Sequence, residues 1–168
     1  RDPSSARYNE PLYTFWFRTV FLSYLSAWNI ANGEMKKKGL PALHWKNEML
    51  QAQLMQLLFI TCIALVFGWM ITLYFLAAAT IGFLLLETVN YIEHYGLQRK
   101  QTAGGTYERA MPEHSWNSNH ILGRLMLFEL SRHSDHHYLA SRKYQVLRHH
   151  DDAPQLPTGY PGSMLLAL

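Results

Sequence analysis

Residues 49–86 form a run of 38 positions between Glu48 and Glu87 without one Asp, Glu, Lys or Arg. No other feature restricts the fold so much. Laid out as one helix at about 1.5 Å per residue, the run would reach about 57 Å, nearly twice a hydrocarbon core of about 30 Å. Two membrane spans use that length and one does not. Phe67-Gly68-Trp69, near the midpoint, is a natural reversal, because glycine relaxes the backbone and an indole suits the lipid–water boundary. The competing reading is a buried helical hairpin of a large soluble enzyme, but soluble helices rarely run so far without a charge. The flanking charges favour the membrane. Lys36, Lys37, Lys38 and Lys46 precede the run, Arg99 and Lys100 follow it, and the turn carries none. Two spans return the chain to the side it left, and the basic flanks mark that side as cytoplasmic.

The rest of the chain arranges itself around this hairpin. Residues 13–30 are aromatic and apolar with Arg18 inside the run, which suits an interfacial helix better than a spanning one. Gly39 and Pro41 break the basic connector that follows. The expected divisions are an interfacial or cytoplasmic segment, 1–48; a transmembrane helical hairpin, 49–97; a cytoplasmic metal-binding helical region, 98–148; and a C-terminal tail, 149–168. A helix is expected from about Asn117 to Ala140, with Asn117 or Ser118 as its N-cap. The opening "RDPSSARYNE" has neither an initiator methionine nor a signal peptide, and the chain stops within an apolar stretch, so it is expected to be a piece of a longer protein. The net charge of +3 needs no nucleic acid, since the lysines flank the membrane and no basic stripe carries interleaved aromatics. Cys62, the single cysteine, is expected in the core, and it excludes disulfides and cysteine-ligated metal within this chain.

The chemistry gathers in "LSRHSDHH". On a helix His133, His136 and His137 stand at i, i+3 and i+4, so one face presents three imidazoles to a metal. Asp135 points to the opposite side, a poor ligand but a good acceptor for the N–H of an imidazole from another helix. His94 closes the second span in "ETVNYIEHYGL", and Asn90 (i−4) and Glu87 (i−7) share its stripe. Ionisable groups at membrane depth are costly and usually face a functional site, so His94 is a candidate ligand. Glu93 lies about 100° off that stripe and is a further candidate for supporting a ligand. His114, Asn117 and Asn119 suit polar support around the site, whereas His149 and His150 are expected to be solvated in the proline-rich tail. Imidazole ligands suit Zn, Cu, Fe or Ni. Four histidines are too many for an open three-ligand zinc site and too few for two six-coordinate irons.

"NYIEHYGLQR", "HSWNSN", "LSRHSDHH", "YQVLR" and "APQLPTGYPG" together resemble the C-terminal half of the membrane-bound alkane 1-monooxygenases, non-haem di-iron enzymes close to the xylene monooxygenase hydroxylase. The likeness runs from "DPSSARYNEPLY" to "LPTGYPG". The wider desaturase and hydroxylase superfamily shares H-x-x-H-H but lacks "NYxEHYGL". The resemblance implies an all-α integral membrane protein of the bacterial cytoplasmic (inner) membrane. Its fold would be a six-helix bundle, of which this chain holds two transmembrane helices plus interfacial and cytoplasmic helices. The metal site would face the cytoplasm. It further implies two iron ions, O2 as the source of the inserted oxygen, rubredoxin as electron donor and an n-alkane of medium length as substrate. By position His94 corresponds to the histidine of the "EHYG" motif, and His133, His136 and His137 to the third histidine box. The two earlier boxes have no counterpart here, so the N-terminal half of the same enzyme is expected to complete the ligand set. Ser131 stands where the family usually has Gln.

The apolar substrate is expected to enter from the lipid and lie along Ala78, Gly82 and Leu85, although helix packing also explains such small residues. Basic residues near the cytoplasmic edge suit an acidic electron donor. A desaturase-like or xylene-monooxygenase-like enzyme is the alternative within the superfamily, and a non-catalytic membrane metal-binding or transport protein the alternative outside it.

Overall fold

A computed structural model describes residues 3–168; Arg1 and Asp2, the first two residues of the expected segment 1–48, lie outside the described residues. The chain is helical, and among the described residues β-structure is limited to two isolated bridges, Gln101 with Tyr107 and Asn117 with Gln155. Five α-helices follow in order: α1 (Leu12–Lys37), α2 (Glu48–His94), α3 (Ile121–Met126), α4 (His133–Tyr138) and α5 (Gly159–Ala167). They divide into two units, Phe17–Leu85 on the one hand and Arg1–Trp16 with Leu86–Leu168 on the other.

The unit 17–85 holds most of α1 and of α2. The helix α1 runs further than its sequence suggests, taking in residues 31–37 of the expected connector. It stops where glycine permits: Gly39 has φ 68°, its N–H donates to the Lys36 carbonyl at 3.1 Å, and the Leu40 N–H donates to the Met35 carbonyl at 2.9 Å. That pair of bonds is a Schellman closure. Asn47 opens α2 as a side-chain cap, its Oδ1 accepting the Met49 N–H at 3.0 Å. Its amide also ties the cap to Asn32 of α1 at 3.0 Å.

The helical path of α2 is interrupted at Gly68, with φ 82° and ψ 167°, a combination essentially confined to glycine. The rings of Phe59 and Phe75 meet with centroids 5.6 Å apart. Sixteen residues of straight helix would separate them by about 24 Å, so the chain folds back at Gly68. The stretch is long and apolar enough to cross a membrane, and its most apolar window is 0% buried. Leu57, Leu58, Leu65, Val66 and Trp69 are all exposed, which suits lipid rather than a protein core as their surroundings. Cys62 is exposed too, contrary to the expected core position, because the apolar run turns its side chains outward.

The unit 1–16 with 86–168 has its own core of Ala6, Leu12, Phe15, Tyr91, Ile92, Leu156 and Tyr160. Residues 117–140 are not one helix. The chain breaks between α3 and α4, where Phe128 and Glu129 take positive φ values of 51° and 62°. The break is held by the Ser118 N–H on the Ser131 carbonyl at 2.8 Å and by Arg132 donating to the Leu147 carbonyl at 2.6 Å. Neither expected N-cap serves: His120 occupies that place, without a side-chain cap bond. The segment 149–168 is no loose tail. Ala153 and Leu156 are buried, and α5 buries Tyr160 and Ser163.

Candidate metal centre

His94 is the last residue of α2, and His133 and His137 lie on α4. Their nitrogens converge: His94 Nε2 is 3.2 Å from His137 Nε2 and 3.2 Å from His133 Nε2, and one ligand nitrogen from each falls within a 4.8 Å group. The other ring nitrogens of two of them are accounted for. His94 Nδ1–H donates to the Asn90 carbonyl at 2.9 Å, and His133 Nδ1 lies 3.4 Å from Glu93 Oε1. Burial first, and then the neighbouring His137, His94 and His136, push the His133 imidazole down to about 2. It is therefore a neutral ring at physiological pH.

These rings suit a metal. His94 gives its Nδ1 proton to the Asn90 carbonyl, so its Nε2 lone pair faces the Nε2 atoms of His133 and His137, each 3.2 Å away, an arrangement a shared cation would satisfy. Imidazole nitrogens about 2.1 Å from a shared ion stand about 3.0–3.4 Å apart for angles between square and tetrahedral. His136, half-buried on the same turn, has its ring centroid 6.0 Å from that of His133 and 5.7 Å from that of His137. It borders the three-nitrogen group without joining it.

The expected supporting residues divide. Asn90 acts through its main-chain carbonyl, while its side-chain amide donates to Glu87 at 3.4 Å. Glu93 is buried and reaches His133. Asp135 is fully buried, and its hydrogen-bond partners are not the converging histidines. It accepts hydrogen bonds from Arg142, from the Arg148 N–H at 2.8 Å and from His150 at 2.8 Å. Burial acts to raise this carboxyl, but the bonds from His150, Arg148 and Arg142 outweigh it and hold it below the usual carboxylate range. The imidazole on Asp135 thus belongs to His150, a residue expected in solvent. His149 likewise meets the Asn117 amide at 3.1 Å.

Asn117 is fully buried and accepts from Ser134 at 3.1 Å, pinning the first turn of α4. Asn119 accepts from Arg132 at 3.3 Å. His114 pairs with Glu108 at 3.1 Å. Ala78, Gly82 and Leu85 are exposed. Two residues of consequence escape a reading of the sequence alone. Arg142 locks Asp135, and Tyr160 donates its hydroxyl to Glu93 at 2.6 Å. The apolar spacing Leu156, Tyr160, Met164, Ala167 was the available signal that the last segment packs.

Comparison with known proteins agrees with the resemblance carried by the motifs. The chain is 51% identical over 99% of its length to alkane 1-monooxygenase 2 of Pseudomonas aeruginosa, and 47% identical over 99% to alkane 1-monooxygenase of Acinetobacter baylyi. A more distant relative is the xylene/toluene monooxygenase hydroxylase component XylM of Pseudomonas putida, 24% identical over 94% of the chain. The chain spans less than half the length of these relatives, 44%, 41% and 41% respectively. The fatty acid desaturase family matches residues 1–163, nearly the whole chain, and the chain belongs to this family.

Proposed function

We propose that this chain is part of a membrane-bound non-haem di-iron monooxygenase that hydroxylates the terminal carbon of medium-chain n-alkanes. O2 would supply the oxygen and rubredoxin the electrons. The observation that carries the reading is the convergence of His94, His133 and His137 nitrogens in a chain 51% identical to an alkane 1-monooxygenase. His94, His133, His137 and the adjacent His136 are the proposed iron ligands contributed here; the remaining ligands are proposed to come from the rest of the enzyme.

Iron, when bound, supplies the one-electron chemistry that activates O2, which no side chain provides. The chain's own residues contribute order. The Asn90 carbonyl fixes the tautomer of His94, Glu93 approaches His133 on its far side, and the Asp135 network anchors α4. In this reading residues 49–97 form two spans of a six-helix bundle in the bacterial inner membrane. The site faces the cytoplasm, where basic residues such as Arg99 and Lys100 meet the electron donor. Ala78, Gly82 and Leu85, earlier on the helix that ends in His94, are proposed to line the substrate's path. A hydroxylase of aromatic methyl groups is the second reading, favoured by the likeness to XylM.

The test uses the full-length enzyme in membranes with rubredoxin, its reductase and NADH, offered octane or xylene. Octan-1-ol as the main product is expected, and His137→Ala should abolish both iron retention and product. A preference for xylene would install the second reading. Iron exchange without NADH-dependent turnover would make the protein a metal carrier instead.

A further inference from the structure

The "GYPG" near the end of the chain has no part in the metal site by sequence, yet its tyrosine is buried and bonded to the neighbour of His94. Tyr160 is 3% exposed and follows Gly159, whose φ of 67° no ordinary side chain adopts easily. A Cβ on Gly159 would also meet His120 Cδ2 at 3.1 Å, so glycine lets the chain pass close to that ring. Tyr160 then donates to Glu93 Oε1 at 2.6 Å. The same carboxylate oxygen stands 3.4 Å from His133 Nδ1, and His133 Nε2 faces His94. Phenol, carboxylate and imidazole thus form one line that ends at the converging nitrogens.

We infer that Tyr160 is a positioning residue for the metal centre, holding the Glu93 carboxylate where it orients His133. The inference rests on the reading of His94, His133 and His137 as metal ligands and assigns the C-terminal segment a part in holding that metal. The need for such a device follows from the difference between two of the ligands. His94 has a main-chain acceptor delivered by its own helix. The counterpart for His133 is a side chain with several rotatable bonds, which holds one direction only when something holds it. Burial leaves Glu93 dependent on protein partners, and the Tyr160 hydroxyl is one of them. Burial also pushes the Tyr160 phenol upward, as does the nearby Glu93, so the hydroxyl stays protonated and donates. Acceptors behind metal-bound imidazoles typically contribute about 10–100-fold in metal affinity or activity.

The test uses the full-length protein purified in detergent and loaded with ferrous iron. Iron per chain, the half-time of iron release to a ferrous chelator, and the visible spectrum of the cobalt-substituted form are measured for Tyr160→Phe, Glu93→Gln, the double variant and His137→Ala. Tyr160→Phe and Glu93→Gln should each release iron about 10-fold faster or more, with altered cobalt bands. The double variant should be no worse than the poorer single one, because both act through one line. Wild-type release in Tyr160→Phe, or multiplicative effects in the double, would overturn the inference. Should Tyr160→Phe fail to accumulate, Glu93→Gln carries the test of the same line, since it keeps the size of the side chain but replaces one acceptor oxygen with a donor. His137→Ala separates the two levels: wild-type iron retention there would defeat the metal-centre reading itself.

Discussion

Single residues set the precision of this centre, and Asp135 shows how. It stands between two candidate ligands in sequence, yet its carboxylate gathers Arg142, Arg148 and His150. The helical period puts it off the histidine face, because i+2 lies on the far side from i, i+3 and i+4. Its partners were beyond such counting, since Arg142 and His150 come from turns with no period at all. A fully buried carboxylate with three donors is a costly thing to delete. Asp135→Ala is expected to cost about 2–3 kcal/mol, because it leaves the Arg142 guanidinium and the Arg148 N–H without their acceptor. Thermal unfolding in detergent measures the stability change. Iron retention should fall in parallel, since α4 loses the anchor between His133 and His137.

At the level of elements, the informative miss is the helix expected over 117–140. "ILGRLMLFELSRHSDHHY" is rich in helix formers and carries no proline, so local propensity favours continuity. Long-range bonds override it, with Ser118 on Ser131 and Arg132 on Leu147, and the chain turns through left-handed Phe128 and Glu129. Arg124 grips the Glu129 carboxylate with two bonds of 2.8 Å across that turn. Those bonds hold the Glu129 carboxyl below its ordinary 4.5. A lowered folded-state value means that the link contributes fully above the unfolded-state value and is lost as pH falls through the folded one. Amides 127–132 should therefore lose exchange protection as pH falls below the ordinary carboxylate range, after correction for intrinsic rates. In Glu129→Gln the protection should be low throughout, with no acid step. A wild-type profile with the same acid behaviour as Glu129→Gln would remove the link from the turn.

At the scale of the whole molecule, the question is which side of the membrane each end of the hairpin faces. Gly68 reverses the chain, and the basic residues lie beyond both ends of the apolar run. In a Cys62→Ser background, Lys46→Cys and Lys100→Cys should be labelled by an impermeant maleimide from the same face, the cytoplasmic one. Trp69→Cys should be labelled from the other. Opposite faces for Lys46→Cys and Lys100→Cys would mean a single crossing and would end the two-span reading.

The sequence by itself determined the helical class, the reversal at Gly68 and the grouping of three imidazoles on one turn. Those depend on composition and period, which are local. Tertiary structure decided which rings share a centre, since His94 reaches His133 and His137 across about 40 residues of chain while His136 stands beside them. It also decided that the last segment packs rather than trails. Leu156 and Tyr160 enter the core beside Tyr91 and Ile92, and a phenol finds a carboxylate 67 positions away. Burying those apolar side chains lowers the free energy wherever they come from along the chain, so the partners were settled by packing, a property no short stretch contains.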